Sequence, residues 1–420
     1  MSNANKPGPQ RFVKRLGVMV IWQAAGKILQ IAGAAYAFRC LGPENVGLTG
    51  TILILAAFVL ILFDFGLERV AVRAIARRPE DQAELTRAIF SLRVMIGLGV
   101  ATVWMLAALW VYGLSAVGLV WLLGAVFLFN GFVVSNWFFE ATDRIPLLTG
   151  IQTGLSLTTS LAYLIFFRPG QAVGSDLLVM TVLAVLITCG IIRWMGGQIG
   201  CAPFSLKNLR RATTLLKEGQ ANWWFSLQYC VLSTMTLPLC YWLVGEQEGG
   251  WFRAAAALVA AIQLFLNNFA YMLNPRIVRW HAEDPALCRR RLQWLTLGVI
   301  TAGTVFCAGL WCFRVAVTDL LYGEEFLPSA DSLPILVLAK FFALCSGCLV
   351  WGVLAAKRDV LVAKACVLPL GGAVLLHSWL IPAYGITGGA WANLGAEVLL
   401  FVGCFVTFTI VFNRARSSDA

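Results

Sequence analysis

Two apolar runs of membrane length, residues 16–38 and 46–67, are joined only by the polar turn Arg39-Cys40-Leu41-Gly42-Pro43-Glu44-Asn45. About twenty apolar residues at 1.5 Å rise cross a hydrocarbon core, so each run has the length of a transmembrane helix. The turn is too short for anything but a helical hairpin. Apolar runs of similar length recur near 89–113, 115–139, 145–167, 173–195, 221–244, 251–274, 292–313, 331–354, 360–382 and 386–412. We therefore expect an all-α polytopic membrane protein of about twelve transmembrane helices, with both termini on one side. The composition agrees: 60% of residues are hydrophobic and only 13% charged, and mean hydropathy is +0.80, which excludes a soluble enzyme. The polar segment 1–15 precedes a run longer than a signal peptide, with no small-residue cleavage pattern, so the first helix is expected to be retained.

Charge sets the orientation. With the termini inside, twenty-five of the 32 Lys and Arg residues fall on the inner side, and only Arg39, Arg168 and Arg253 fall on the outer side. The positive-inside rule then places both termini in the cytoplasm. This distribution accounts for the net charge of +11 without a nucleic-acid partner. The longest inner connection, residues 196–220, carries Lys207, Arg210, Arg211 and Lys217 and is read as a linker able to lie on the membrane surface as a short amphipathic helix. It divides the chain into two six-helix lobes, residues 1–205 and 206–420. A faint repeat accompanies the division: Gly17, Gly42 and Gly47 correspond to Gly219, Gly245 and Gly250, at offsets of 202, 203 and 203. An even number of helices in each half relates the lobes by an axis along the membrane normal.

Most of the twelve cysteines lie inside apolar spans, where cysteine acts as a small hydrophobe. Cys345 and Cys348 form a C-x-x-C, but no second pair or nearby histidine completes a metal site. No catalytic group and no metal site is read from the sequence.

The informative residues are polar ones at bilayer depth. Lys27 sits mid-span, and an ammonium there costs roughly 2.5–3.5 kcal/mol, so it must face protein, water or an anion. Gln23, Lys27 and Gln30 recur at i, i+4 and i+7 on one stripe, which reads either as a wet cavity wall or as a helix-packing contact. Gln263, Asn267, Tyr271 and Asn274 form a second stripe, Asn393 and Glu397 are i and i+4, and Lys340 lies near mid-depth. Gln23, Lys27, Gln30, Gln263, Asn267 and Lys340 are the candidate substrate-binding residues. Glu397 is the candidate coupling or gating carboxylate, the alternative being a fixed ion pair with Lys340 or a neutral acid bonded to Asn393. Arg93 and Arg314 lie near span ends and are expected to snorkel. His377 reads as a packing histidine before a proton relay.

The turn and the end of the second helix carry a resemblance. Arg39-x-Leu41-Gly42-Pro43-Glu44-x-x-Gly47, followed by Asp64-Phe65-Gly66 and Arg73, resembles the opening pattern of Wzx-type polysaccharide-biosynthesis flippases of the multidrug/oligosaccharidyl-lipid/polysaccharide exporter superfamily. Asn136-Trp137-Phe138-Phe139-Glu140 is similar to the family's aromatic segment after the fourth helix, with Glu140-Ala141 in place of its usual Gln-Gly. Leu216-Lys217-Glu218-Gly219 and Gly250-Trp251-Phe252-Arg253-Ala254-Ala255 resemble its segments opening the seventh and eighth helices. The likeness implies a non-enzymatic transporter of the bacterial inner membrane. Its cargo would be an undecaprenyl-pyrophosphate-linked oligosaccharide, moved from the cytoplasmic to the periplasmic leaflet by alternating access. Asp64 and Arg73, which belong to the motif, join Glu397 as coupling or gating candidates. The implied partners are the lipid-linked oligosaccharide, membrane lipid and the polysaccharide polymerase and chain-length machinery; no cofactor is implied beyond Na+ or H+ coupling. Two alternatives stand beside it. A cation-coupled drug exporter of the same superfamily would need acidic groups in its cavity, and here Lys27 and Lys340 outnumber Glu397. A membrane-embedded polymerase or glycosyltransferase would need a large outer loop carrying carboxylates or histidine, and every outer loop is short.

Overall fold

The structure, a computed structural model, describes residues 9–77, 79–134, 136–142, 144–200, 202–205, 209–356, 361, 364–365 and 367–418. Among these the secondary structure is helical, without strands. The helices are α1 (Pro9–Asp64), α2 (Leu67–Arg77), α3 (Gln82–Tyr112), α4 (Ala116–Val133), α5 (Asn136–Ala141), α6 (Ile145–Phe166), α7 (Ser175–Ile199), α8 (Leu209–Thr234), α9 (Thr236–Leu243), α10 (Glu246–Glu283), α11 (Pro285–Tyr322), α12 (Ser332–Ala355) and α13 (Val367–Ser418). Short 3-10 turns, Pro79–Asp81 and Glu324–Ala330, precede α3 and α12.

Seven helices among the described residues are long and apolar enough to cross a membrane. Two of them are doubled. α1 bends at Gly42, whose φ of 74° and ψ of 164° leave the helical region, and α13 bends at Gly385, with φ 58° and ψ −138°. Only glycine adopts these angles without Cβ strain, and the bend at Gly42 is followed by Pro43, which has no N–H to continue the ladder. The less apolar α6, the α8–α9 pair and α10 supply the other three spans, which gives twelve membrane helices in two six-helix lobes.

Packing fixes their directions. Gly26 and Gly33 in the first arm of α1 lie against Thr153 and Ser160 of α6, so these two helices run in parallel. Ile52 lies on Gly124, and Leu60 on Gly131, so the second arm of α1 runs parallel to α4. The core of the first half holds Ile89, Trp137, Phe138 and Met195; that of the second holds Ile277, Leu292, Leu349 and Phe408. Caps begin the helices where the sequence provides them: Ser115 accepts from the Gly118 N–H at 3.1 Å, and Asp284 from the Ala286 N–H at 2.8 Å, ahead of Pro285.

Three expectations change. The second span stops at Asp64 rather than residue 67, because Phe65 (φ 50°) and Gly66 (φ 73°) take left-handed conformations. The surface amphipathic helix is α2, not the linker: Leu67, Val70, Ala71 and Ile75 are buried while Arg69 and Arg73 face outward. From residue 209 onward the linker is already α8, and Leu216 is held by the apolar group Leu67, Ala88 and Leu92. The span at 221–244 is interrupted at Met235, since Pro238 can offer no hydrogen bond to the Thr234 carbonyl.

Candidate functional site

The two halves meet through a reciprocal contact at the end of the helices opposite the termini, termed the outer end, the end nearer the termini being termed the inner. A Cβ on Gly47 would collide with the Glu246 carbonyl, and one on Gly250 with the Pro43 carbonyl. Residues 43 and 47 are the counterparts of 246 and 250 at the offset of 203 seen in the glycine repeat. Each half therefore offers the same side-chain-free face to the other, as an internal two-fold requires, and the helix backbones touch.

Polar groups close this seam. Arg253 of α10 reaches across to α1, where its Nη1 donates to the Val46 carbonyl at 2.7 Å and to Thr49 Oγ1. Its Nη2 meets Asp176 of α7 at 3.4 Å. Thr49 donates to the same carboxylate at 2.9 Å, and the guanidinium lies 5.1 Å from the centre of the Phe38 ring. Arg39 of α1 donates to the Asp319 and Leu320 carbonyls of α11, and within the second half Trp251 donates to the Glu325 carbonyl at 2.7 Å. Carbonyls in the last turn of α11, which a helix C-terminus leaves open, thus receive Arg39 from the first half, and the Val46 carbonyl takes an additional donor from Arg253 of the second.

At the inner end Arg93 of α3 is 1% exposed and ion-paired with Asp64 and, at 3.2 Å, with Glu68. It also donates to the Phe132 and Gly131 carbonyls in the last turn of α4. The expectation that Arg93 snorkels is overturned, because α4 ends at Val133 and its open carbonyls, together with two carboxylates, make a closed site for a guanidinium. Trp223 of α8 donates to the Ile61 and Leu62 carbonyls at 3.0 and 3.1 Å and packs against the Phe65 ring, tilted by 38° with centroids 5.5 Å apart. The second half therefore holds the inner end of α1 as well. Arg314, by contrast, is only partly covered, paired with Asp331 at 2.7 Å and lying over Trp311.

Inside the second half, Lys340 of α12 faces Glu397 of α13 at 3.8 Å, with the carboxylate side chain 1% exposed. No hydrogen bond among the described residues reaches either oxygen of Glu397. One helical turn away, Asn393 donates to Thr236 Oγ1 at 3.5 Å. Thr236 in turn meets His377 Nε2 at 2.8 Å, and His377 Nδ1 bonds the Ala373 carbonyl at 2.7 Å. Both His377 nitrogens are engaged, as expected of a packing histidine.

Of the residues singled out from sequence, the structure joins Lys340 to Glu397 and gives Asp64 a partner in Arg93. Gln30 and Gln263 are half-buried, and Arg73 is exposed on α2. Gln23 and Lys27 lie in α1 and Asn267 in α10, but their side chains fall outside the described residues, as do those of Tyr271 and Asn274. Sequence reasoning assigned no site role to Arg253, which appeared as an outer-side charge and within the motif opening the eighth helix, and did not single out Thr49 or Asp176. The signal available was Arg253 following the Gly250 repeat position by three residues, on the same helix face.

Arg253→Ala is expected to loosen the outer seam. Hydrogen bonds to a charged group contribute about 1.5–3 kcal/mol, so labelling of buried Cys40 by a membrane-impermeant maleimide should rise about tenfold or more. Peptide mass spectrometry of labelled cells reads this at one site, and unchanged Cys40 labelling would show that the seam closes without Arg253.

The polysaccharide biosynthesis protein family matches residues 12–281. The "Putative O-antigen transporter" of Escherichia coli is 25% identical over 285 residues, which is 66% of this chain and 66% of that protein's length. The lipid III flippases of Escherichia coli and Shigella flexneri are each 21% identical over 436 residues, covering 94% of this chain and 98% of the relative. Among solved structures, an inward-facing multidrug resistance MATE family transporter of the MOP superfamily superposes with a TM-score of 0.67 at 14% identity, over 93% of this chain and 95% of that one. The lipid II flippase MurJ, in an inward closed conformation, gives 0.65 at 13%, over 94% and 89%. The chain shares the fold of both structures. With the match extending over residues 12–281, well over half its length, the chain belongs to the polysaccharide biosynthesis protein family.

Proposed function

We propose that the chain is a flippase rather than an enzyme, and that it carries an undecaprenyl-pyrophosphate-linked oligosaccharide from the cytoplasmic to the periplasmic leaflet. The observation that supports this reading most directly is the outer seam, in a chain of the polysaccharide biosynthesis family. Two halves that touch through glycine backbones and one arginine cluster can part there without unfolding either core. Alternating access needs two such closures, one at each end. The Arg253–Thr49–Asp176 cluster serves as the outer one, and the contacts of α8 with the inner end of α1, beside Asp64 and α2 with Arg73, serve as the inner one. The lobes divide near residues 205 and 206. Both termini face the cytoplasm of a bacterial inner membrane, in keeping with the charge asymmetry.

The cargo's pyrophosphate is a dianionic headgroup. Lys27, flanked by Gln23 and Gln30, is the group we assign to it, with Gln263 and Asn267 contacting sugar hydroxyls from the second half. Lys340 belongs with Glu397 instead: the pair is enclosed within one half, where a carboxylate can exchange its lysine for a proton or Na+ and so couple the cycle to a gradient. Polymerase and chain-length proteins would receive the product at the outer face.

Depletion of the chain in its own host tests the function. Lipid-linked oligosaccharide should accumulate facing the cytoplasm while surface polysaccharide falls, and a plasmid copy should reverse both. Accumulation of cationic dyes in the depleted cells, with normal surface polysaccharide, would support drug export instead. Loss of a glycosidic linkage from the intermediate itself would point to an enzyme.

A further inference from the structure

The hairpin between α10 and α11 carries a feature that transport does not use. At its inner end Trp280, Leu287, Arg290, Arg291, Trp294 and Leu295 line a wide, open surface cavity of about 550 Å³. Every lining residue belongs to the same half, so the cavity is separate from the seam between the lobes. Arg291 lies with its guanidinium 5.0 Å from the centre of the Trp280 ring, which orients it by cation–π attraction. Its neighbour Arg289 is committed to Asn413. Among the described residues, neither Arg290 nor Arg291 stands in an ion pair. Two cationic forks are thus held at one cavity without an anion.

The surroundings identify the anion's source. Trp294 is 64% exposed, and beyond it along α11 Leu297 and Val305 are exposed at 55% and 69%. Pro285 starts the helix, and Trp294 is nine residues on, about 14 Å along the axis. An exposed tryptophan one helical turn beyond the basic run Arg289–Arg291 marks the membrane–water interface, and the leucine and valine farther along α11 face acyl chains. A free phosphate would gain nothing from the tryptophans and leucines. A phospholipid would use all of them.

We propose that this cavity is a binding site for an anionic phospholipid of the cytoplasmic leaflet. Its phosphate is held between Arg290 and Arg291, its glycerol region lies on Trp280 and Trp294, and an acyl chain follows Leu297 toward Val305. Arginine suits this position because its planar fork takes two phosphate oxygens at once, and basic pockets on the cytoplasmic side of transmembrane helices attract anionic headgroups.

Native mass spectrometry of the purified full-length chain tests the site, with phosphatidylglycerol and phosphatidylcholine of identical acyl chains as probes. Phosphatidylglycerol should be retained in preference, and Arg290→Ala with Arg291→Ala should lower its retention about tenfold while leaving phosphatidylcholine unchanged. The exposed Trp294→Ala should also weaken retention of phosphatidylglycerol, and Arg290→Lys with Arg291→Lys should keep part of it, which separates loss of the site from loss of the fold. Equal retention by the parent and the double alanine variant overturns the proposal. So does displacement of the lipid by excess inorganic phosphate, which would make the site one for the free ion. Preference for undecaprenyl phosphate over phosphatidylglycerol would overturn it too, by assigning the site to the transported carrier.

Discussion

Lys340→Met is expected to destabilise the protein by about 3–5 kcal/mol, since it leaves the Glu397 carboxylate buried without a counter-charge. The geometry offers little relief: Glu397 is 1% exposed, Lys340 is its ion-pair partner at 3.8 Å, and no hydrogen bond among the described residues reaches its oxygens. Methionine fills the lysine stem's volume without its charge, so the change isolates electrostatics from packing. The loss should be largely restored when Glu397→Gln is added, because a neutral amide no longer needs the ammonium. Thermal unfolding of the purified chain in detergent measures both effects. If Lys340→Met alone unfolds like the parent, then the pair carries no stabilising charge interaction. Export by the restored double variant then decides the role of Glu397. A stable double variant that leaves surface polysaccharide at parental level would remove the pair from coupling and leave it a structural contact.

Lys27→Ala is expected to insert normally and to abolish export. Removing a mid-membrane charge lowers the cost of insertion by roughly 2.5–3.5 kcal/mol, so any loss of function cannot be assigned to poor insertion. The lysine has no acidic residue in its own arm of α1, where Asp64 and Glu44 lie beyond the Gly42 bend or at it. The pyrophosphate of the proposed cargo would supply the counter-charge, and without Lys27 the lipid-linked intermediate should collect facing the cytoplasm. Lys27→Arg should retain part of the export, because a guanidinium still binds phosphate although its larger head crowds the cavity. Lys27→Gln should fail like alanine. The measurement is surface polysaccharide in a deletion strain, normalised to membrane protein level. Export by Lys27→Ala equal to the parent would make Lys27 a packing residue. The outcome is distinct from that at Lys340, whose loss acts through stability.

Much of this architecture was readable from residue order alone. Apolar runs near twenty residues long could only be membrane helices, since nothing else of that length satisfies its own backbone in lipid. Gly42-Pro43 marked a bend because the pair combines a residue free to leave the helix with one unable to continue it. The resemblance carried by Arg39 through Arg73 agreed with the family whose match covers residues 12–281. The spacing of Asn393 and Glu397 put both on one helix face, while the ion pair of Glu397 with Lys340 stood only as the alternative to a coupling carboxylate and a substrate-binding lysine.

What the sequence could not supply were contacts between distant elements, because a side chain's environment at bilayer depth depends on which helix lies against it. Arg93 looked like a residue near a span end. Only the arrival of Asp64, Glu68 and the last carbonyls of α4 around it makes burial of its charge favourable. Arg253 counted as one outer-side charge, yet it spans the seam to Thr49 and Asp176, which precede it by 204 and 77 residues. The amphipathic pattern was assigned to the linker, whereas packing draws its second part into α8 and gives the surface position to α2. Periodicity and length determine that a helix forms and that it crosses the membrane, since both are properties of one segment meeting lipid. Which charges are buried, which carbonyls are capped and where the halves touch were decided by tertiary structure, because each of these requires a group from another segment to cancel the cost of leaving water.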